Sequence, residues 1–99
     1  MNDRYVLDGH KAILEKDLMK WVTWLETADR KVRKTELPEG VEVSTVFLGL
    51  DHNFFGSGNP VLFETMVFGG KFDQEMNRYS TWEQAETGHE EMVEKVKAG

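Results

Sequence analysis

The densest group of side chains capable of chemistry lies in the segment DHNFFGSGNP, residues 51–60. Its first three residues are Asp51, His52 and Asn53, and a histidine beside a carboxylate can act as a general base or bind a metal ion. The alternative is that Asp51 and Asn53 hydrogen-bond the backbone of their own loop, as such residues commonly do in turns. The sequence leaves both interpretations open.

A metal site in this loop would need further ligands from elsewhere in the chain. The candidates are Glu64, His10 and His89. No HExxH or HxH spacing supports such a site, so the pattern does not indicate a metal. His89 lies on the apolar stripe of a predicted helix, and the alternative for it is a core histidine with one hydrogen-bond partner. The preceding Gly88 would allow that helix to approach the sheet closely.

The aromatic pair Phe54 and Phe55 follows in the same glycine-rich loop. Two adjacent aromatic side chains at a loop tip cannot both easily reach the core, and exposed ones mark contact sites. The glycines do not form a GxGxxG or GxxxxGK[ST] pattern, so a nucleotide cradle is not indicated. We therefore predict that the loop is a binding lip or an oligomer contact.

Glu64 interrupts an apolar run, PVLFETMVF. A carboxylate in such a strand costs free energy unless it is paired or exposed. One interpretation is a ligand or an acid with a raised pKa. The other is that Glu64 pairs with a basic residue such as Arg78 or faces solvent at the margin of a sheet.

The composition limits the classes of function. The 99 residues are enough for one domain, residues 1–99, and the formal charge of −6 disfavours nucleic acid as a partner. There is no cysteine, which excludes disulfides and thiolate chemistry and fits a reducing compartment. The chain has no long apolar run and no signal-like N-terminus, so we expect a cytoplasmic protein without a membrane segment. No cofactor is indicated.

The hydrophobic periodicity predicts an α+β fold. Apolar residues recur at helical spacing over about 16–28 and 80–97, with Asp17 as one N-cap and a capping box from Ser80 to Glu83 as the other. We expect these helices to pack on an antiparallel sheet of three to five strands. The other predicted elements are a hairpin turning at Asp8–Gly9, an edge strand in KVRKTEL, a central hairpin of about 41–50 and 61–68, and an irregular segment over 71–79.

The two central strands are apolar on both faces. One face carries Val43 and Phe47 with Phe63 and Val67, and the other carries Val46, Leu48 and Leu50 with Leu62, Met66 and Phe68. An antiparallel sheet with one solvated face alternates more clearly than this. Two helices can cover one face of a small sheet, so we expect a homo-oligomer to cover the second one. The alternative is that the first hairpin or the 71–79 segment covers it.

Four segments together resemble a family of proteins. They are WVTWLETADRKV, VSTVFLGLDHNF, PVLFETMVFGG and RYSTWEQAETGHEEMV. Their sequences are similar to those of a family of short, uncharacterised proteins encoded by tailed bacteriophages and prophages. The resemblance extends over nearly the whole chain. The loop departs from the family, whose members often have a Gly-Gly-Pro-Pro run where this chain has GSGNP. The resemblance implies a phage-encoded protein that acts in the bacterial cytoplasm, and it implies no activity.

Three functions follow as hypotheses. The first is a non-enzymatic accessory module, oligomeric, that binds a host or defence protein through loop 51–60 and the nearby sheet edge. The second is an oligomeric protein that sequesters a nucleotide-like small molecule between protomers. Trp21, Trp24 and Trp82 could stack on a base, and Arg78 or Lys71 could meet a phosphate. The third is a metal-dependent or acid–base enzyme that uses Asp51, His52 and Glu64. We favour the first and rank the third last, because no set of nucleophile, base and orienting residue is visible for an enzyme.

Overall fold

The computed structural model describes residues 3–54 and 58–99 and confirms the α+β fold. A two-stranded hairpin, β1 and β2, precedes a four-stranded antiparallel sheet with the order β3-β4-β5-β6. Both helices contact this framework. The elements are β1 (Tyr5–Asp8), β2 (Lys11–Leu14), α1 (Leu18–Thr27), β3 (Lys31–Leu37), β4 (Val41–Phe47), β5 (Phe63–Phe68), β6 (Met76–Tyr79) and α2 (Trp82–Ala98).

Helix α2 covers one face of the four-stranded sheet and forms most of the core with it. At one end, Val43 and Val67 pack against Met92 and Val93 of the helix. At the other end, a second cluster of buried residues, namely Phe47, Leu62, Phe63 and Ala85, receives β1, β2 and α1 through Tyr5, Leu7, Ala12 and Trp24. The first hairpin and α1 therefore complete the core on the same side as α2.

Local signals set the helix ends. The Asp17 side chain accepts from the amides of Met19 and Lys20, which confirms the predicted N-cap of α1. The capping box of α2 was predicted one residue too early, because it joins Thr81 to Gln84 rather than Ser80 to Glu83. Thr81 and Gln84 satisfy the same S/T-x-x-E/Q pattern, so the two registers could not be separated by residue type.

Glycine at position 88 lets α2 approach the sheet closely, as the sequence predicted. A Cβ atom added there would lie 2.2 Å from Cζ of the Tyr79 ring in β6. Any side chain at this position would require the Tyr79 ring to move or the helix to shift away from β6. The observed packing therefore favours glycine here, in spite of its cost to helix stability.

Three other predictions differ from the structure. The first turn lies at Gly9 and His10, because Asp8 still pairs with Lys11 as the last residue of its strand. The 71–79 segment is partly regular, since it ends in β6, which pairs with β5. The central strands are shorter than predicted, so Leu62 leaves the second face and enters the core, where it is 1% exposed.

None of the helices in the part of the chain that the structure describes is both long and apolar enough to cross a membrane.

Candidate binding site

The base of the loop between β4 and β5 is closed by backbone hydrogen bonds. The amide of Leu48 donates to the carbonyl of Leu62 (2.7 Å), and the amide of His52 donates to the carbonyl of Val61 (2.8 Å). These bonds continue the antiparallel pairing beyond Phe47, although the strands have ended. The loop thus begins from a narrow, ordered neck.

Asp51 fixes this neck. Its Oδ1 atom accepts from the amide of Asn53 and from the amide of Val61, both at 2.8 Å. One carboxylate oxygen therefore ties the start of the loop to its end. This confirms the prediction that Asp51 hydrogen-bonds its own loop.

His52 and Asn53 also hold the loop. Nδ1 of His52 lies 2.7 Å from the carbonyl oxygen of Leu50, which makes that nitrogen the donor. The amide nitrogen Nδ2 of Asn53 donates to the carbonyl of Asn59 at 3.1 Å, across the loop. The three polar residues that suggested chemistry thus all make hydrogen bonds that shape the loop.

Phe54 stands at the far end of these hydrogen bonds and is 66% exposed. Its ring centroid lies 5.7 Å from that of His52, with the ring planes tilted by 58°. The tethered His52 ring therefore supports one side of the Phe54 ring and leaves the rest open. Phe55, the second predicted lip residue, lies outside the described residues.

Glu64 and Arg78 form an ion pair on the sheet face opposite α2. Nε of Arg78 donates to Oε2 of Glu64 at 3.0 Å, and the two residues are direct partners in the β5–β6 register. The Glu64 side chain is only 16% exposed, so the guanidinium supplies the partner that a mostly buried carboxylate needs. This confirms the prediction that Glu64 pairs with Arg78.

The structure does not bring together the residues of the third hypothesis, a metal-dependent or acid–base enzyme. Within residues 3–54 and 58–99, no three or more His, Asp and Glu side chains come close enough to hold a metal ion. Asp51 and His52 serve the loop, whereas Glu64 pairs on the sheet. His10 stacks on Trp82 with ring centroids 3.9 Å apart, and His89 lies in the core.

The residues proposed to hold a nucleotide are also mostly engaged. Nε1 of Trp21 donates to the carbonyls of Tyr5 and Gly49. Trp24 packs edge-on against Phe47. Lys71 lies over the ring of Phe72, with Nζ 5.5 Å from the centroid.

Trp82 borders a cavity that it shares with His10 and Lys11. The cavity has a volume of about 490 Å³ and lies between the first hairpin, the end of loop 51–60 and the start of α2. His10 and Lys11 lie on one wall, and Asn59 and Pro60 lie on another. The floor is apolar, with Leu62 and Phe63.

Two features were missed in the sequence. The first is a hydrogen-bonded set of threonines around His89, since threonine in a strand gives no sign of its partner. The second is the polar part of the second sheet face, where Glu42 and Ser44 lie on the same side of β4 as Val46. The hydrophobic pattern predicted for that face included leucines that lie beyond the strand ends.

No family model, no curated protein and no solved structure matches this chain. The resemblance to phage-encoded proteins stays a prediction.

Proposed function

We propose that this chain is a non-enzymatic binding module, a phage-encoded accessory protein that contacts a host or defence protein in the bacterial cytoplasm. Loop 51–60 supplies the contact, with Phe54 as its anchor. The observation that carries the proposal is the 66% exposure of Phe54 on a loop whose neck is tied by Asp51.

An exposed aromatic side chain on an ordered support is suited to binding. Aromatic residues are enriched among those that contribute most to protein interfaces. Because hydrogen bonds from Asp51, His52 and Asn53 hold the described residues that lead to Phe54, little conformational entropy would be lost there on contact. The acidic balance of the chain, −6, favours a protein partner over nucleic acid.

The test compares two alanine variants in affinity capture from bacterial lysate, followed by quantitative mass spectrometry. Phe54→Ala removes the exposed aromatic ring of the loop. Met19→Ala is the matched control, because Met19 is also an exposed apolar side chain, 68% exposed at the start of α1. We expect Phe54→Ala to lose at least tenfold of one or more captured proteins that the wild type and Met19→Ala retain. Circular dichroism should show the same fold for all three.

A partner would then be confirmed with purified components, because capture alone does not establish direct contact. A site-specific photocrosslinker placed at position 54 should join the chain to the captured protein, whereas one at position 19 should not. Equal capture by all three chains would contradict the proposed role of Phe54.

One observation favours the second hypothesis, a sequestering protein. The cavity of about 490 Å³ beside Trp82 has His10 and Lys11 on its wall, a combination that suits a small anion with a planar ring. A panel of nucleotides would be titrated while tryptophan fluorescence is recorded. A response that disappears in Trp82→Phe would support this function, and an unchanged signal with every nucleotide would contradict it.

A further inference from the structure

The face of the four-stranded sheet opposite α2 is open to solvent; we call it the open face. Phe68 and Met76 are 46% and 43% exposed there, and Val46 and Met66 are half-buried. The strand register places the members of this face in three rows across the sheet. The rows are Lys31, Val46, Glu64 and Arg78; Lys34, Ser44, Met66 and Met76; and Glu36, Glu42 and Phe68.

The charges of the open face balance, unlike those of the whole chain. It carries three cations, Lys31, Lys34 and Arg78, and three carboxylates, Glu36, Glu42 and Glu64, in a molecule with a formal charge of −6. Two copies that approach through other acidic surfaces repel each other, whereas this face adds no net repulsion.

Most of these charges are already paired within the chain. Nζ of Lys34 lies 3.3 Å from Oε1 of Glu42 and 3.5 Å from Oε1 of Glu36. Arg78 pairs with Glu64. A second surface that covers the face would therefore desolvate ion pairs rather than isolated charges, which costs much less.

The area of the open face is sufficient for a dimer. Four strands at about 4.8 Å spacing and about six residues at roughly 3.4 Å each give on the order of 400 Å² in projection. Because side-chain relief increases the accessible area, stacking two copies would bury on the order of 1,000 Å² in total, near the lower bound for a specific interface.

We propose that a second copy of this chain covers the open face, with the two sheets stacked about a two-fold axis that runs across the strands. The axis follows the middle row, Lys34 to Met76. Each strand then lies over its own copy in the opposite direction, so that Met66 faces Met66 and Met76 faces Met76 of the second copy. The outer rows face each other, which places Lys31 opposite Glu36.

The other two-fold axis in the interface plane runs along the strands and gives a poorer match. It would place β3 over β6 of the second copy and bring Lys31 opposite Arg78. Like charges face each other in that arrangement, and the middle row sets Lys34 against Met76. The axis across the strands instead groups the methionines and places Lys31 opposite Glu36. It also places Lys34 opposite Lys34, but each of these lysines already pairs with two carboxylates of its own chain, Glu42 and Glu36.

This arrangement has a consequence that rests on the proposed function. Loop 51–60 leaves the sheet at the end of β4, beside the first row. Because the axis reverses the strand direction, the two copies of Phe54 would lie at opposite ends of the dimer. The assembly would therefore be a bivalent module that can hold two partner molecules.

The main experiment replaces Met76 with a residue of either charge. The full chain should sediment as a dimer of 11.4 kDa protomers. Met76→Glu and Met76→Lys each put like charges against each other across the axis, and each should weaken dimerisation at least tenfold. An equimolar mixture of the two variants should recover a mixed dimer, because glutamate then faces lysine. Phe54→Ala should remain dimeric.

A crosslinking experiment separates face stacking from pairing along a sheet edge. The chain has no cysteine, so Ser44→Cys introduces a unique thiol on the central strand β4. A bismaleimide that spans about 10 Å, the separation of stacked sheets, should join two such chains efficiently. Met19→Cys is the control, since α1 lies outside the interface, and it should crosslink poorly.

Either of two results would overturn the proposal. One is a monomeric wild-type chain, which would leave the face to another partner. The other is a dimer that resists both position-76 charges and does not crosslink through position 44. Failure of the Phe54 capture experiment would leave the dimer measurements unaffected, so the two proposals can fail separately.

Discussion

The hydroxyl oxygen of Thr45 lies 2.7 Å from Nδ1 of His89, and that of Thr35 lies 2.8 Å from Nε2 of the same ring. Thr45 also shares a hydrogen bond of 2.5 Å with Thr65. A neutral imidazole has one donor and one acceptor, and a hydroxyl can take either role, so both ring nitrogens are satisfied. His89 is therefore a polar link between α2 and three strands in the core.

The stability of the fold should depend on pH through His89. Burial lowers the pKa of His89 below the ordinary value of 6.5, because the imidazolium loses hydration; Glu90 opposes this change and Arg33 adds to it. The unfolded chain then binds a proton at a higher pH than the folded chain. Stability is thus fully present above about pH 6.5 and is lost as the pH falls through the unfolded pKa.

This prediction is checked by urea unfolding of the wild type and His89→Gln at about pH 7.5 and about pH 5.5. The wild type should lose more unfolding free energy on acidification than the variant, which has no proton to bind at this position. Thr87→Ala, an exposed change on the same helix, should keep the wild-type dependence. Identical pH dependence in His89→Gln would show that the buried imidazole does not contribute.

Thr45→Val tests the hydrogen bonds of this link without changing the side-chain shape. The substitution leaves Nδ1 of His89 without its partner inside the core, which should cost about 1–3 kcal/mol of unfolding free energy. Thr35→Val should cost less, since Thr35 is half-buried and water can replace its hydroxyl. Equal losses in the two variants, measured by urea unfolding, would contradict this account.

The sequence predicted the elements well because their signals are local. The helical stripe of α2, the Asp17 cap and the edge strand β3 each follow from residues within a few positions of one another. The core role of His89 was one of two open alternatives, and its threonine partners come from strands 44 and 54 residues away. Such partners depend on strand register, which a single sequence does not fix.

The loop shows the same limit. Its polar residues have the types expected of a catalytic group and equally those expected of a turn, and only the positions of the Asn53 and Val61 amides decide between them. The open face shows the reverse case. The sequence predicted an apolar face. Because β4 ends at Phe47 and β5 begins at Phe63, Leu62 lies in the core instead, and the open face carries ion pairs such as Glu64–Arg78.

Asp51→Ala should loosen the neck of the loop. Two amides, those of Asn53 and Val61, lose their shared acceptor, and we expect a loss of about 1–2 kcal/mol in unfolding free energy. Asp51→Asn keeps an oxygen at the Oδ1 position and should lose less. Hydrogen exchange of the Val61 amide, followed by NMR, should accelerate in the alanine variant. Comparable exchange rates in all three chains would mean that Asp51 does not hold the neck.

Gly88→Ala sets helix propensity against packing. Alanine stabilises a helix interior by about 1 kcal/mol relative to glycine, so an isolated helix would gain. In the fold, the new Cβ would lie 2.2 Å from the Tyr79 ring, and relief of such overpacking costs about 1–3 kcal/mol. We expect a net loss of stability in thermal unfolding, whereas Thr87→Ala on the exposed side of α2 should not destabilise.

The control uses a double mutant. Because the clash needs the Tyr79 ring, Gly88→Ala should lower the stability less in a Tyr79→Ala background, and this coupling identifies the contact as the cause. A rise in melting temperature for Gly88→Ala alone would contradict this account, because it would show that the Tyr79 ring or the helix can shift at little cost.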